Sequence, residues 1–384
     1  MYKGRLSDLS SYVSEKISVA ALTDQTYIGV DNMLSNRCGV KPSEYVPETG
    51  LATKFERGDI LLGNIRPYFK KIWLAEFDGG CSPDVLVIRP KQGVSSKFLY
   101  AYLSTDGFFD YDMKGAKGSK MPRGDKDHIM RYEITIPDAQ EKIGSFIINI
   151  NEKIANNNAI CADLEGMAKL LYDYWFVQFD FPDENGKPYK SSGGKMVWNE
   201  ELKREIPEGW EAAKFSEILA KVPNTEKIPT NNYHEEGRWP IIDQSTDYIA
   251  GYTNNEKAIL DNRSGCIVFG DHTGYVKYVN FPFARGADGT QVIWSQKENF
   301  PSSLLFHMVK RIPLPNVGYS RHFMFLKEST VFSPPIELAK RYDTVTNRIY
   351  QKIKEVTFEN IELVSLRDFL LPMLMNGQVK VKGA

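Results

Sequence analysis

The chain has 384 residues, enough for two domains, and its hydrophobic (42%) and charged (25%) fractions exclude a disordered or fibrous protein. The formal net charge of −1 does not by itself indicate a nucleic-acid-binding protein. The four cysteines form no CxxC pair, which excludes a zinc ribbon and a disulfide framework and fits a reducing compartment. No apolar run approaches the ~18 residues of a membrane span, and the first residues do not resemble a signal peptide. We therefore expect a cytoplasmic protein.

A repeat at a spacing of about 200 residues divides the chain into two similar halves. Each half begins with a short amphipathic segment (residues 5–13 and 213–222), which a strand bracketed by glycine follows. The bracketed strands are GDILLGN (58–64) and GCIVFGD (265–271). Each is followed by a strand that contains lysine (70–77 and 275–281) and then by a strand rich in β-branched residues (84–90 and 290–294). This order predicts two copies of one mixed α/β module.

Each half then continues with a short apolar helix, a glycine-rich basic loop and a strand that ends at proline. The loops are GSKMPR (118–123) and GYSRHF (318–323), and the strands end in TIP (135–137) and SPP (333–335). A long helix is predicted after each of these prolines, because proline is tolerated at a helix start but not inside a helix.

The two long helices carry the strongest periodic signal, with seam positions alternately four and three residues apart. This heptad spacing predicts a seam that is buried against another helix. The seam positions are Ile143, Ile147, Ile150, Ile154, Asn157, Cys161, Leu164, Ala168, Leu171 and Trp175 in the first helix, and Tyr342, Thr346, Ile349, Ile353, Val356, Asn360, Leu363, Arg367 and Leu370 in the second.

The first seam covers about 33 residues, or about 50 Å of helix. Each seam contains one asparagine, Asn157 or Asn360, a residue that weakens a coiled coil but fixes its register. We predict that the two helices pair with each other in antiparallel orientation. The alternative is that each helix packs independently on its own domain.

The predicted fold class is mixed α/β (α+β): two similar domains with a pseudo-two-fold repeat, separated by two long helices that form an antiparallel coiled coil. The predicted boundaries are a first domain at 1–138, a central spacer helix at 139–178, a connector at 179–206, a second domain at 207–335 and a C-terminal spacer helix at 336–384. The connector is rich in glycine, proline, serine and charge, so we expect it to lie outside the core.

Two basic clusters stand out in the first domain although its total charge is near neutral. Residues 114–131 contain six cations against two acids, together with three glycines that allow the backbone to approach a phosphate. The segment IRPYFKK (65–71) mixes cations with two aromatic residues, a combination typical of phosphate and base contacts. A solvated charged loop and an ordinary strand turn are the alternative interpretations.

Sequence motifs for catalysis are missing. There is no GxGxxG, Walker A, HExxH or GxSxG motif, no Asn/Asp-Pro-Pro-Tyr tetrapeptide, and the five histidines lack the spacing of metal ligands. The segment 181–187 partly resembles a metal-dependent nuclease motif through Asp183, Glu184 and Lys187, but it lies in a polar turn-rich stretch. We therefore expect a non-catalytic protein that binds no metal.

The ordered set of segments resembles the specificity subunit of type I restriction–modification systems. The segments that carry the resemblance are GDILLGNIRPYFKKIWLAEFDGGCSPDVLVIRP (58–90), GSKMPR (118–123), LYDYWFVQFDFPDENGKPYKSSGG (171–194), IPEGWE (206–211) and SLRDFLLPMLMNGQVKV (365–381). Each segment is weak evidence alone, but together they cover essentially the whole chain in the correct order.

The resemblance implies that each domain is a target-recognition domain that reads one half of a bipartite double-stranded DNA target. The coiled coil would set the gap between the halves and would dock two modification subunits, which bring S-adenosylmethionine and the methyl-transfer residues. A restriction and motor subunit would complete the complex. This chain would itself hold no catalytic residue and no cofactor.

We therefore predict DNA-contacting residues in both domains. They are Arg66, Tyr68, Lys70, Lys71, Lys117, Lys120 and Arg123 in the first domain, and Asp271, His272, Lys277, Arg285, Arg321 and His322 in the second. Two other functions remain open from the residues alone. One is a coiled-coil interaction scaffold that does not bind DNA, and the other is a self-sufficient nuclease that uses Asp183, Glu184 and Lys187.

Overall fold

The structure is a computed structural model that describes residues 2–262, 264–286, 289–314, 321–375 and 378–381. The chain forms two compact units: unit 1 contains residues 1–158 and 359–384, and unit 2 contains residues 159–358. Each unit therefore includes part of both long helices. Among the described residues, no helix combines the length and the apolar character that crossing a membrane requires.

Unit 1 begins with an α/β region of short strands and helices, which the first long helix follows. The strands are β1 (Tyr2–Arg5), β2 (Ser10–Tyr12), β3 (Lys16–Ser18), β4 (Tyr27–Ile28), β5 (Leu51–Phe55), β6 (Ile60–Gly63), β7 (Ile72–Leu74), β8 (Gly79–Cys81), β9 (Val85–Pro90) and β10 (Glu133–Ile136). The helices are α1 (Leu6–Leu9), α2 (Ser96–Leu103), α3 (Asp106–Gly115), α4 (Lys126–Met130) and α5 (Gln140–Tyr172), which continues into unit 2.

The strands of unit 1 form two four-stranded sheets and one two-stranded ladder, in the orders β2-β9-β6-β7, β3-β5-β8-β4 and β1-β10. Strand β6 is buried along its whole length. Ile60 and Leu62 belong to a core cluster that includes residues of the helices of unit 1, whereas Leu61 belongs to a second cluster, which contains Phe55 of β5. Alternate side chains of a strand point to opposite faces of the sheet. A strand that is covered on both faces therefore requires an unbroken run of apolar residues.

Unit 2 contains the remaining strands and the second long helix. The strands are β11 (Met196–Asn199), β12 (Arg204–Pro207), β13 (Glu211–Lys214), β14 (Trp239–Ile242), β15 (Gly251–Thr253), β16 (Ile259–Leu260), β17 (Cys266–Gly270), β18 (Val276–Val279), β19 (Phe283–Arg285), β20 (Thr290–Ile293) and β21 (Thr330–Ser333). The helices are α6 (Phe215–Ile218), α7 (Ser302–Arg311), α8 (His322–Glu328) and α9 (Ile336–Met375), whose last part belongs to unit 1.

The two units share their central strand pairings, as the sequence repeat predicts, and differ at the sheet edges, where β15 pairs with β14 but β3 pairs with β5. Strand β17 lies between β18 and β20 in antiparallel pairing, just as β6 lies between β7 and β9. Strand β19 pairs parallel with β14 and antiparallel with β16, which repeats the pairing of β8 with β4 and β5. The ladder β13-β21 repeats β1-β10. Gly58 and Gly265 precede the central strands with φ of +93° and +92°, a conformation that glycine adopts without strain. The predicted repeat is confirmed.

The long helices pair antiparallel within each unit. In unit 1, Arg367 donates to Asn151 Oδ1 at 3.1 Å, while the earlier residue Asn360 meets the later residue Asn157. In unit 2, Cys161 Sγ lies 4.0 Å from the Ile353 carbonyl, and the rings of Trp175 and Tyr342 lie 5.8 Å apart. The predicted seam residues are all buried or half-buried: Ile143, Ile147, Ile150, Ile154, Asn157, Leu164, Leu171, Ile349, Ile353, Val356, Asn360, Leu363 and Leu370.

The expectation that residues 179–206 lie outside the core is corrected by the structure. Phe179, Phe181 and Ile206 are buried in the main core cluster of unit 2, and β11 pairs with β12 as a hairpin. The rings of Phe181 and Trp210 stack with centroids 5.5 Å apart. Aromatic residues spaced through a polar stretch are therefore buried although the average composition indicates a linker.

Candidate nucleic-acid interface

The two basic segments of the first domain lie side by side. The Arg66 N–H donates to the Pro122 carbonyl at 2.7 Å, and Gly124 N–H donates to the Asn64 carbonyl at 3.2 Å. Within the second segment, Lys117 and Arg123 exchange two backbone hydrogen bonds of 2.8 and 2.9 Å. We call residues 64–71 together with 117–124 the unit 1 loop pair. Clusters that are about 50 residues apart in the sequence thus form one surface.

The same arrangement is built in unit 2. Asp271 follows the central strand β17 as Asn64 follows β6, and its carbonyl accepts the His322 N–H at 3.0 Å. We call residues 271–275 together with 321–323 the unit 2 loop pair. Arg123 directly precedes Gly124, whose N–H binds the Asn64 carbonyl, and Arg321 directly precedes His322, whose N–H binds the Asp271 carbonyl. The two arginines therefore occupy matching positions. Residues 318–320 of the predicted GYSRHF loop lie outside the described residues.

Exposed cations line the unit 1 loop pair. The side chains of Lys117 and Arg123 are 79% and 56% exposed and are paired with Asp125 and Asp84, respectively. Lys120 is exposed, and its side chain has no ion-pair partner in the part of the chain that the structure describes. Surface ion pairs contribute only about 0–1 kcal/mol, so a phosphate group can replace the carboxylates at small cost. These three side chains are thus available to an anionic ligand.

An aromatic pair projects beside these cations. Arg66 and Lys70 flank a single helical turn with φ of 51° and 52°, and this left-handed backbone exposes the side chains of the turn. Tyr68 and Phe69 are 47% and 37% exposed, with ring centroids 4.7 Å apart. Exposed aromatic rings next to cations can contact sugar and base faces while the cations bind phosphate.

The two remaining predicted lysines of unit 1 are engaged by the protein. Lys70 Nζ donates to Asp106 Oδ1 at 2.6 Å. Lys71 Nζ donates to the Val30 carbonyl at 2.7 Å, and burial lowers the pKa of this lysine. Lys71 also lines a cleft of about 610 Å³ that borders the loop pair through Arg66. These lysines shape the cleft and the turn, and their charged ends are less available than those of the 117–124 loop.

The predicted residues of unit 2 divide into exposed and buried groups. His272 and Arg321 are exposed on the unit 2 loop pair, and His322 is half-buried there. Arg285 is half-buried on β19, and burial lowers its pKa. Tyr275 is 48% exposed in the same turn as His272, and the sequence analysis did not single it out because an isolated tyrosine gives no specific signal.

Two predictions in unit 2 need correction. Lys277 is only 8% exposed; its Nζ donates to the Asp247 carbonyl, and burial lowers its pKa. Asp271 is also buried, and its Oδ1 accepts the Phe323 N–H at 2.8 Å. Both side chains hold the domain together, because their polar atoms are used by protein groups.

The described residues hold no group of three or more histidine, cysteine, aspartate or glutamate side chains that could bind a metal. In the segment that partly resembles a nuclease motif, Asp183 Oδ1 accepts the N–H groups of Asn185 and Lys187, both at 2.8 Å. Asp183 therefore closes a turn, as short polar side chains commonly do. This geometry gives the nuclease alternative no support.

The chain is similar to type I restriction enzyme specificity subunits. It is 25% identical over 319 residues to the MjaIX specificity subunit of Methanocaldococcus jannaschii, covering 77% of this chain and 72% of that protein. It is 22% identical over 457 residues to the HindI specificity subunit of Haemophilus influenzae, covering 97% and 98%.

No family model matches the chain. The crystal structure of a type I restriction-modification S subunit from M. genitalium has the same fold, with a TM-score of 0.56 at 16% identity, covering 96% of this chain and 94% of that one. The chain is therefore similar along nearly its whole length to type I restriction–modification specificity subunits, and it shares the fold of one such subunit.

Proposed function

We propose that this chain recognises specific DNA sequences as the non-catalytic specificity subunit of a type I restriction–modification complex. The observation that carries the proposal is the duplicated loop pair. In both units the central strand has the same two antiparallel neighbours, and a second loop that carries an exposed arginine lies against its end. A duplicated reader of this kind suits a target made of two half-sites.

In this proposal each loop pair reads one half of a bipartite target, and the long helices set the distance between the halves. The antiparallel seam supports the spacer role, since paired helices are stiff and contribute about 1.5 Å of length per residue. The near-neutral net charge of −1 implies that partner subunits neutralise many of the phosphates. This chain then contributes mainly the contacts to bases.

The helices also offer a surface for partner subunits. On the part of the α5 helix in unit 2, Ile160, Met167 and Leu170 are 43%, 57% and 68% exposed, at spacings that place them near one face. Exposed apolar side chains in a contiguous stripe commonly mark a protein interface. We propose that modification subunits dock on this stripe and bring S-adenosylmethionine and the methyl-transfer residues. A restriction and motor subunit completes the complex, which acts in the cytoplasm.

Methylation mapping tests the proposal. The chain is co-expressed with its modification subunits, and methylated sites in the host DNA are sequenced to obtain the bipartite target. Arg123→Ala should relax the sequence requirement in one half-site, Arg321→Ala should relax it in the other, and each loss is expected to be about 1–3 kcal/mol. The matched control is Lys3→Ala, which removes an exposed cation of unit 1 outside both loops.

Three results would contradict the proposal. If the complex methylates no bipartite site and binds no duplex DNA, the chain is an interaction scaffold. If Arg123→Ala weakens both half-sites equally, one module does not read one half. If Lys3→Ala has the same effect as Arg123→Ala, the loss reflects total charge rather than the loop pair.

A further inference from the structure

A buried carboxyl group without a partner lies beneath the unit 1 loop pair. Asp112, on α3, has no exposed surface, and neither of its side-chain oxygens has a hydrogen-bond partner among the described residues. Burial raises the pKa of this carboxyl to about 7. A carboxylate in such a site is strongly disfavoured, since it loses its hydration without gaining a donor. The neutral acid is therefore the stable form at mildly acidic pH.

A second orphan oxygen lies next to it. Asn64 Oδ1 is also buried without a donor, although Asn64 forms the junction of the loop pair through its backbone. A Cβ atom on Gly124 would lie 2.5 Å from Asp112 Oδ1 and 2.8 Å from Asn64 Oδ1. Both oxygens therefore crowd the same glycine, whose N–H binds the Asn64 carbonyl. With Asn64 Oδ1 directed at this point, a proton on the Asp112 carboxyl supplies the donor that both oxygens lack.

The charged and titratable groups around Asp112 do not favour its ionised form. From β2, Tyr12 donates to the Lys126 carbonyl at 3.1 Å, and its pKa is raised by burial and by the nearby carboxyls of Asp112, Asp127 and Asp125. From α4, His128 stacks on Tyr111 with ring centroids 4.1 Å apart, and its Nε2 lies 3.0 Å from the Tyr111 carbonyl. On the adjoining loop, Arg66 Nε is buried without a hydrogen-bond partner among the described residues.

The matching junction in unit 2 is satisfied without such a proton. Asp271 occupies the position of Asn64, and its Oδ1 accepts the Phe323 N–H at 2.8 Å. In unit 2 a backbone N–H thus supplies the hydrogen bond to this position that the neutral Asp112 carboxyl can supply in unit 1. The two loop pairs should therefore respond differently to pH, and unit 2 provides an internal control.

We propose that Asp112 is a positioning residue for the unit 1 loop pair: as a neutral acid it donates a hydrogen bond to Asn64 Oδ1, and loss of its proton loosens the loop pair and weakens the contact of unit 1 with DNA. The inference rests on the proposed function for its DNA step only. The loosening of the loops is a property of the chain itself.

Hydrogen exchange of the full chain tests the loosening directly. Protection of peptides covering residues 117–124, corrected for intrinsic exchange, should fall by about tenfold between about pH 6 and about pH 8.5. Each pH unit between the ordinary pKa of an aspartate and the raised pKa of Asp112 favours opening by about tenfold, and the effect levels off above the raised pKa. Peptides covering residues 321–323 should not change. In Asp112→Asn, whose amide can donate at every pH, protection should be independent of pH. The matched control is Asp110→Asn, the same substitution at an exposed position of α3.

The proposal is overturned if wild-type protection does not change with pH, or if Asp112→Asn follows the wild-type profile. If Asp112→Asn fails to fold, the infrared spectrum of the wild-type protein decides the question. A protonated carboxyl band present at about pH 6 must disappear by about pH 8.5, and its absence at the lower pH refutes the neutral acid.

Binding of the assembled complex to its target DNA is then measured over the same pH range. The expected result is weaker binding at high pH for the wild type and for Asp110→Asn, but not for Asp112→Asn. A pH-dependent loop with pH-independent binding would refute the DNA step while leaving the loop inference intact. A complex that binds no DNA would refute the proposed function, and the exchange result would still decide the role of Asp112.

Discussion

The asparagine pair in the helical seam provides a sharp quantitative test of the fold. Asn157 is 1% exposed, and its Nδ2 donates to Asn360 Oδ1 and to Glu359 Oε2, both at 2.8 Å. Asn360 Nδ2 in turn donates to Asn158 Oδ1 at 2.9 Å. All of these residues belong to unit 1. The pair thus satisfies its polar groups across the seam, as a buried polar pair must.

We expect Asn157→Ala to lower the free energy of unfolding by about 1.5–4 kcal/mol. One lost hydrogen bond has a neutral acceptor, worth about 0.5–1.5 kcal/mol, and the other has a charged acceptor, worth about 1.5–3 kcal/mol. The higher helix propensity of alanine returns about 0.5 kcal/mol. Replacing both Asn157 and Asn360 by leucine should cost little or should stabilise the chain, since no polar group is then left buried without a partner.

Urea unfolding followed by far-UV circular dichroism measures these changes, provided that the slope of the transition is unchanged. The control is Asn156→Ala, an exposed neighbour on the same helix that reports the propensity effect alone. In a double-mutant cycle, Asn157→Ala and Asn360→Ala should couple by at least about 0.5 kcal/mol. Additivity within about 0.3 kcal/mol would show that the two asparagines do not interact and would refute the antiparallel register.

Two further predictions concern unit 2. Gly265→Ala should lower the free energy of unfolding by more than about 1 kcal/mol, because φ is +92° and the new Cβ would overlap the Tyr278 hydroxyl; Gly186→Ala, at φ of +75° with open space around it, isolates the backbone strain. His307 is buried and its Nε2 lies 2.9 Å from the Tyr350 hydroxyl, and burial lowers its pKa to about 4. The unfolded chain therefore binds the proton first, and stability should fall by about 3 kcal/mol as the pH drops from about 6.5 to about 4. Urea unfolding across this range should show a smaller fall in His307→Leu, and equal falls would contradict the assignment.

Much of the domain organisation could be predicted because it depends on local sequence patterns. The heptad spacing identified both long helices, since the period of a seam depends only on residues of the same helix. Gly58 and Gly265 marked the central strands of the two modules, because both positions need a left-handed backbone. The internal repeat then indicated the shared central strand pairings, because two similar sequences with the same order of elements can bury their strands in the same way.

The candidate site was predictable in part. The sequence indicated the two basic segments of unit 1 separately. Their adjacency depends on the backbone hydrogen bonds of Arg66 and Gly124, which no local sequence pattern predicts. The matching of Arg123 with Arg321 follows from the same backbone geometry. Lys277 was expected to contact DNA, but it is buried on the edge strand β18, where its Nζ donates to the Asp247 carbonyl.

Periodicity and glycine placement act over a few residues, so the helices, the strands and the seam could be predicted from local sequence. The sequence does not indicate which polar side chains face solvent, that Phe179 and Phe181 belong to a core, or that Asp112 and Asn64 meet without a donor. Burial and hydrogen-bond partnership depend on groups that folding brings together from distant parts of the chain. A side chain carries no record of those neighbours in its own local sequence.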